Sequence, residues 1–493
     1  MRRSASPYSV FAALLLTNAG SLALAQGTSP ATPASLTTAE ARADFDQLRA
    51  ALEEAHGGLY RHRSKPALDS AFDVLRARLD EERSVSRREL VVVLSELIAR
   101  IGDGHAHLEV GKTAEDELRR SPLLPLRVLV EDSTLVVALN YSRGDSSIRP
   151  GMELVSIDDW NARDLLRLML RALPGDGFIE SGKRASIASA FAEHYRRLVS
   201  DADSFTVVAR DSTGRTVTAR LAGVPRAEWA ADRNPVNAPM LAGERALWRP
   251  DSVVALQFVD EGRVAQLRVR WFDGDDFPRR IDDVFRAIRK QGARALVLDL
   301  RGNPGGVDEY GALLVSQLVA TPFRYFDRIH LASVRPSFNT WRAGTSERIA
   351  AGVVPDSAGG WLVTPAMHSG VGMQQPAREP YLERVVVLMD GGTFSTAADV
   401  CAVLRGLRRA TFVGTETGGG YEGNTSGLNA LVTLRHSGLG LKVPMYGYWN
   451  GVPAPATPGR GTMPDHAVAT RVTDLMRGTD APLNAALRVA RER

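Results

Sequence analysis

Hydrophobic and polar positions follow three different patterns along this chain of 493 residues. From about residue 38 to residue 101, apolar side chains recur every three or four positions, as at Phe45, Leu48 and Leu52, which predicts amphipathic helices. From about residue 121 to residue 222, short apolar or alternating runs lie between turn residues, which predicts strands. One helix is predicted within this second region, at Leu165–Leu173. The first two regions are therefore expected to differ in structure.

The third pattern begins after a polar stretch near residues 226–237. It predicts strands that alternate with helices: strands at Val264–Val269, Ala295–Leu300 and Val385–Met389, and helices at Phe277–Gln291 and Tyr310–Val319. Such alternation is typical of an α/β layer with a largely parallel sheet. The last strand passes through a turn into a helix from about Ala397 to Leu407, which places Ser395 where a buried strand meets a helix.

Composition narrows the class of protein. Hydrophobic residues make up 44% of the chain and charged residues 24%, which is typical of a soluble globular protein. The formal net charge is only +4 and no long basic run occurs, so we expect no nucleic-acid partner.

The first 25 residues have the pattern of a secretory signal peptide. Arg2 and Arg3 precede a mostly apolar run, and Ala23 to Ala25 form a small-x-small cleavage site. An uncleaved membrane anchor is the alternative, but the run is shorter than the ~20 residues that a span needs. We therefore predict export to the periplasm or the medium, with no stable membrane span after cleavage. Residues 26–37, rich in Thr, Ser, Pro and Ala, are predicted to be a flexible lead-in.

Cys401 is the only cysteine, so the exported chain is predicted to fold without an internal disulfide. Apolar neighbours surround it in the helix that follows Ser395. We interpret it as a buried residue, because a nucleophilic cysteine needs an exposed, electropositive setting.

Ser395 is a candidate nucleophile because a strand-to-helix turn presents a hydroxyl beside a helix N-terminus, which favours developing negative charge. A second glycine-rich turn, Gly302–Gly306, follows another predicted strand. It has neither the dinucleotide-binding nor the P-loop spacing. It is either a turn that requires positive φ, or an oxyanion site formed by the N–H of Gly305 or Gly306 with that of Thr396.

Four segments together resemble the tail-specific (C-terminal processing) protease family. They are Ala295–Gly306, Phe394–Asp399, Phe412–Gly419 and Met463–Asp465, and the resemblance covers roughly residues 250–475. It implies a Clp/crotonase-like α/β core and a serine peptidase that hydrolyses peptide bonds through an acyl-enzyme. It implies no cofactor.

Many members of this family use a Ser–Lys dyad, but no lysine lies between Ser395 and Lys442. The chain is therefore more similar to the tricorn-type subgroup, which takes its base from an N-terminal histidine. The segment Gly102–Leu108 resembles that part of the subgroup and identifies His105 as the predicted general base. His107 is the alternative base, and a metal site on these two histidines lacks a recognisable third ligand.

The carboxylate that would orient the histidine is not identified by the sequence. Tricorn-type members have a glutamate beyond the nucleophile, but the corresponding stretch here, about residues 446–463, contains no acid. Glu416, Glu422 and Asp465 are possible substitutes. A carbonyl, a water or an amide could also hold the histidine.

The middle region resembles a PDZ domain. Ile148–Asp158 is similar to the glycine turn, strand and hairpin of that family, and Leu165–Leu173 would be its groove-side helix. Such a domain would capture the tail of a substrate, or it would pack against the core and shape access to the site. The segment Arg324–Trp341 is a long insertion that either covers the active site or, as the simpler interpretation, is a disordered surface loop.

These patterns predict three domains after the signal peptide and lead-in. Residues 38–120 form an N-terminal helical domain, 121–222 a PDZ-like β-rich domain, and 223–493 the α/β protease core. The predicted partner is a peptide or protein substrate. A non-catalytic protein that binds a peptide or a hydrophobic ligand on the same fold is the alternative. An α/β-hydrolase is disfavoured because the serine lacks the G-x-S-x-G context and the candidate histidine precedes it.

Overall fold

The computed structural model describes residues 35–80, 84–109, 118, 120–231, 234–338 and 344–492. The predicted signal peptide and residues 26–34 of the predicted lead-in lie outside the described residues. Helices and strands combine in a mixed α/β fold that contains three six-stranded sheets among the described residues.

The first part of the chain is mainly helical. Its elements are β1 Ser35–Thr37, α1 Thr38–Ala55, α2 Lys65–Ala77, β2 Ser84–Ser86, α3 Arg87–Ile101 and β3 His107–Glu109. Capping boxes begin α1 and α3, where Thr37 pairs with Glu40 and Ser86 with Glu89. Helix α3 ends at Gly102, whose φ of 78° releases the chain toward β3.

The middle part is built on an antiparallel sheet. Its elements are β4 Pro122–Leu123, β5 Leu126–Glu131, β6 Thr134–Asn140, β7 Glu153–Ile157, β8 Trp160–Asn161, α4 Ala162–Ala172, α5 Ser181–Leu198, β9 Ser204–Arg210, β10 Thr216–Ala222 and β11 Val224–Pro225. The strand order is β10-β9-β7-β6-β5, with β8 beside β7. Helix α5, which the hydrophobic pattern does not delimit, packs along the edge strand β5.

The third part begins with the elements on either side of the glycine turn. They are α6 Ala238–Ala246, β12 Val254–Val259, β13 Val264–Val269, α7 Phe277–Gln291, β14 Ala295–Asp299 and α8 Asp308–Ser316. Short 3₁₀ helices occur at Arg78–Asp80, Arg226–Ala231, Pro235–Asn237 and Asp260–Gly262.

The remaining elements complete two sheets. They are β15 Phe323–Arg324, β16 Phe326–Leu331, α9 Thr345–Ala351, β17 Val353–Pro355, β18 Trp361–Val363, β19 Met373–Gln374, β20 Arg384–Met389, α10 Thr396–Gly406, β21 Thr411–Gly414, β22 Thr425–Thr433, β23 Gly440–Asn450, β24 His466–Ala467, α11 Val472–Met476 and α12 Ala481–Arg491.

The core sheet has the order β12-β13-β14-β20-β21-β24 and is parallel except for the β12–β13 pair. Both of its faces are covered. Val297 and Val386 lie in the cluster with α12, whereas Leu296 and Val387 lie on the other face in the cluster with α7. This explains why its central strands are continuous apolar runs. The carboxyl ends of β14 and β20, which are adjacent parallel strands, meet at one edge.

The outer sheet has the order β17-β18-β16-β23-β22, and β3 pairs with β23. The interpretation of residues 324–341 as a disordered surface loop is wrong for the described part. Residues Phe326–Leu331 form β16 between β18 and β23, and Tyr325 and Phe326 are fully buried. The β3–β23 pairing also brings the histidine segment of the N-terminal part against the C-terminal part.

Among the described residues, no helix has both the length and the apolar character needed to cross a bilayer.

Candidate active site

Ser395 lies at the start of α10 in a conformation that serine rarely adopts. Its φ is 51° and its ψ is −133°, outside the regions that L-residues normally occupy. Such strain costs about 1–3 kcal/mol and is held by the surrounding structure. The side chain of Ser395 makes no capping hydrogen bond to the helix. The residue is 7% exposed.

The glycine turn lies directly against this serine. A Cβ on Gly305, whose φ is 101°, would lie 2.6 Å from the Cβ of Ser395, so only glycine fits there. Buried Asn303 joins the two turns: its carbonyl accepts the N–H of Phe394 at 2.9 Å, and its Oδ1 accepts the N–H of Gly305 at 2.9 Å. The position of Ser395 is therefore set by the neighbouring strand.

Three backbone N–H groups at these turns have no acceptor among the described residues: those of Gly306, Ser395 and Thr396. The Thr396 N–H is a first-turn donor of α10, which has no partner within the helix. The Thr396 hydroxyl lies 2.9 Å from the carbonyl of Gly306 and 2.9 Å from Asp308 Oδ1, which ties the two turns together. The Gly305 N–H, by contrast, is already donated to Asn303.

His105 reaches Ser395 from the N-terminal part of the chain. Its Nε2 lies 3.2 Å from Ser395 Oγ, within hydrogen-bond reach. The imidazole stacks on the ring of Phe394, with 4.5 Å between the centroids. Burial lowers the pKa of His105 to about 4, against the opposing effect of Asp103, so the ring is neutral at pH 7. A neutral ring with a free Nε2 lone pair can accept a proton.

Asp103 holds the histidine segment. Its Oδ1 accepts the N–H of His105 at 2.7 Å and lies 3.9 Å from His105 Nδ1, a buried atom that has no hydrogen-bond partner among the described residues. Its Oδ2 lies 2.7 Å from His56 Nε2. Because the Gly58 N–H donates to His56 Nδ1, the Nε2–H of His56 must be the donor to Asp103. Burial is the largest single influence and acts to raise the pKa of Asp103, but the hydrogen bond from His56, together with the charges of His56 and His105 and a hydrogen bond from Thr425, holds this pKa well below its usual value.

The other predicted candidates lie apart from His105. Glu416 pairs with Arg460, Glu422 accepts the N–H of Gly459, and Asp465 pairs with Arg405. The alternative base also has a different partner: His107 Nδ1 lies 2.9 Å from the carbonyl of His105.

Sequence reasoning missed three residues around the base: His56, Asp103 and Asp176. Asp103 lies inside the segment that resembles the family, two positions before His105. A carboxylate this close in sequence to the candidate base is the signal that could have identified it. Donor atoms of Asp103, His105 and Asp176 lie within 4.8 Å of one another, which is close enough for a metal ion. Each carboxylate oxygen of this cluster already accepts a hydrogen bond, so we assign the carboxylates to holding the chain.

Comparison with known sequences gives a match, which lies in the core. Residues 263–468 match the sequence model described as peptidase family S41. This range contains the glycine turn and Ser395 but not His105. No curated protein matches the chain in sequence.

Solved structures share the fold. A crystal structure of a CPAF mutant is 16% identical, with 92% of this chain and 96% of that chain covered at a TM-score of 0.64. Mature CPAF is also 16% identical, with 92% and 96% covered and a TM-score of 0.59. Mature CPAF complexed with lactacystin is 16% identical, with 92% and 98% covered and a TM-score of 0.57. The likeness therefore extends beyond the matched core to most of the chain.

Proposed function

We propose that this chain, a serine-type peptidase with a peptidase family S41 domain at residues 263–468, cleaves peptide bonds with Ser395 as nucleophile and His105 as general base. The observation that carries the proposal is the 3.2 Å separation of Ser395 Oγ and His105 Nε2 across 290 positions of sequence. A base that comes from the N-terminal part fits the tricorn-type subgroup rather than the Ser–Lys members.

The reaction follows from this geometry. His105 Nε2 takes the hydroxyl proton while Ser395 Oγ attacks the carbonyl carbon of a peptide. The resulting imidazolium returns the proton to the leaving amine, and the C–N bond breaks to leave an acyl-enzyme. Water then attacks the ester carbonyl with His105 again as base, the imidazolium returns the proton to Ser395 Oγ as the C–Oγ bond breaks, and the acid product leaves.

The oxyanion that forms in each step needs donors on the side of Ser395 facing the glycine turn. We assign this role to the N–H groups of Gly306 and Thr396, because no described residue accepts from them. The N–H of Gly305, the third predicted donor, is donated to Asn303 Oδ1, so its contribution is to let the turn approach Ser395. Such donors are typically worth about 10²–10³ in kcat each.

Asp103 is our candidate for the group that orients His105. It holds the His105 backbone, and its Oδ1 is 3.9 Å from Nδ1, the atom that must carry the proton when Nε2 acts as base. The contact is longer than a hydrogen bond in the free enzyme, and sites of this type tighten when substrate binds. The positive charge that develops on the imidazole would then face a carboxylate that stays ionised.

The substrate is a peptide or protein, as the peptidase family implies, and we propose that the chain acts after export.

We also propose the division into a helical domain at 38–120, a PDZ-like domain at 121–222 and a core at 223–493. Helix α5 lies along β5, the edge strand of the sheet in that PDZ-like domain. This contact favours the role of a packing module over capture of a substrate tail at β5.

A serine-reactive probe and a peptide mixture test the proposal together. We expect Ser395→Ala to lower turnover by at least about 10³-fold and to abolish fluorophosphonate labelling. Ser426→Ala, which removes a part-buried hydroxyl on β22, serves as the matched control and should keep both. Unchanged turnover in folded Ser395→Ala would refute the assignment. A folded wild type that neither labels nor cleaves would favour the alternative of a non-catalytic binding protein.

A further inference from the structure

Asp176 lies in the connection between α4 and α5, outside the range that matches the peptidase family. Its carboxylate is 2% exposed. The proposed reaction does not use it, and the sequence does not mark it. A buried carboxylate must be satisfied by hydrogen bonds, and the identity of its partners shows what it does here.

Each oxygen of Asp176 accepts one backbone N–H. Oδ1 accepts from Gly104 at 2.8 Å, and Oδ2 accepts from Gly420 at 3.1 Å. Gly104 immediately precedes His105. Gly420 belongs to the loop after β21, and the preceding Gly419 packs so closely that a Cβ there would lie 3.1 Å from the nitrogen of Ser395. One carboxylate therefore connects the segment of the base with the loop behind the nucleophile.

The space around Gly104 makes this connection sensitive to position. A Cβ on Gly104 would meet the ring of Phe394 at 2.6 Å and Asp176 Oδ1 at 3.1 Å, so the backbone is packed between the two. The Gly177 N–H also donates to the carbonyl of Gly102 at 2.8 Å. Chain movement at residues 176–177 would therefore move the histidine segment relative to Phe394 and Ser395.

We propose that Asp176 is a positioning residue, whose carboxylate sets the distance between His105 Nε2 and Ser395 Oγ by holding Gly104 and Gly420 at once. The proposal rests on the proposed function, because it concerns the same Ser–His pair. It assigns a part of the active-site geometry to a residue of the middle region.

The charge of Asp176 makes the proposal testable through the pH dependence of kcat, which a purely structural role of this residue would not change. Burial, followed by the charge of Asp103, raises the pKa of Asp176 to about 7. The other charged groups near it are Arg61, Asp399 and, when protonated, His105. An ionised carboxylate accepts both N–H bonds with its negative charge, whereas a protonated carboxyl is uncharged and its hydroxyl oxygen is a weaker acceptor, so the hold on one of the two glycines weakens below about pH 7. The pKa of His105 is about 4, so His105 itself titrates only at lower pH.

Asp176→Asn is the direct test, because an amide cannot accept from both glycines. We expect kcat to fall about 10- to 100-fold with KM within about threefold, since misplacement of a catalytic group affects the chemical step. We also expect wild-type kcat to fall between pH 8 and pH 5.5, and the variant to lack this fall. Asp176→Glu keeps the charge and should retain the pH dependence with intermediate kcat. Glu180→Gln, an exposed acid four positions later, is the control and should match wild type.

Wild-type kcat and pH dependence in folded Asp176→Asn would overturn the proposal. If that variant does not fold, the wild-type profile decides, and a kcat that is constant from pH 8 to pH 5.5 would also overturn it. The turnover that remains in Ser395→Ala is subtracted as background from every measurement. If the proposed function is wrong, Ser395→Ala will keep wild-type turnover, and this result is distinct from any result at Asp176.

Discussion

The two sides of the Ser395–His105 pair are built in different ways. Ser395 is held by neighbouring segments. Its own strained turn and the start of α10 are close in sequence, and the glycine turn follows the adjacent strand β14. His105 is fixed by contacts from distant segments, which include His56 through Asp103, the residues before α5 through Asp176, and β23 through β3. Its Nδ1 has no partner at hydrogen-bond distance among the described residues.

This difference indicates where the site tolerates change. On the Ser395 side, Gly305 and Gly419 pack directly against the serine, so a methyl group at either position would disturb it. The base side depends on several hydrogen bonds, each of which can be removed while the others remain. We therefore expect changes on the Ser395 side to lower turnover steeply. Changes on the His105 side should lower turnover by smaller steps, unless His105 itself is replaced.

The largest effect is expected from removal of the proposed base. His105→Gln should lower kcat by about 10³-fold, because glutamine cannot accept the proton from Ser395 Oγ. His107→Gln should stay within about tenfold of wild type, because the His107 side chain bonds the backbone of residue 105 and not the serine. Steady-state kinetics on a peptide substrate compare the two. A larger loss in the His107 variant would reverse the assignment of the base.

A methyl group on the glycine turn should have the next largest effect. Gly305→Ala places a Cβ 2.6 Å from that of Ser395 at a φ of 101°, and we expect kcat to fall about 10²-fold. Gly302→Ala is the matched control: its φ is 66°, but a Cβ there meets nothing within 4 Å. Strain of about 1 kcal/mol should lower its stability and leave kcat unchanged. Equal kcat values for the two variants would show that contact with Ser395 is unimportant.

The smallest effect on turnover is expected at the carboxylates. Asp103→Asn should lower kcat about tenfold and the free energy of unfolding by about 1–3 kcal/mol, because the hydrogen bond from neutral His56 to a buried carboxylate becomes one to an uncharged amide. The folded pKa of Asp103 lies below its unfolded value, so its contribution is present above about pH 4 and is lost as the pH falls toward the folded pKa.

Glu416→Gln is the comparison for this prediction, since Glu416 pairs with Arg460 away from His105. We expect its kcat to stay within about twofold of wild type. Urea unfolding at pH 7 and pH 3, together with kinetics, measures both variants. If Glu416→Gln reduced kcat more than Asp103→Asn, Asp103 would not be the orienting group.

The local pattern of apolar positions predicts strands of the core sheet but does not predict the outer sheet. The strand Val264–Val269 and the helix Phe277–Gln291 coincide with their predicted bounds, because a buried strand and an amphipathic helix each leave a periodic pattern. The same kind of pattern does not predict strand β16, whose segment reads as a surface loop. Its place depends on pairing with β23, more than 100 positions later, and no local pattern contains that partner.

The candidate site shows the same limit. Ser395 and the glycine turn could be placed together because adjacent parallel strands end at one edge of a sheet. His105 came from resemblance to a family, and the structure brings it to the serine. Asp176 could not be predicted, because its hydrogen bonds come from backbone N–H groups, which every residue type except proline would supply at those two positions.

The burial of Cys401 has a practical consequence for labelling. Cys401 is the only cysteine, its side chain is fully buried in α10, and burial raises the pKa of its thiol. Thiol reagents act on accessible thiolates and will therefore spare the folded chain. A cysteine introduced at an exposed position such as Val74 on α2, which is 64% exposed, would be the single attachment point for a fluorophore or a spin label. The native thiol need not be removed first.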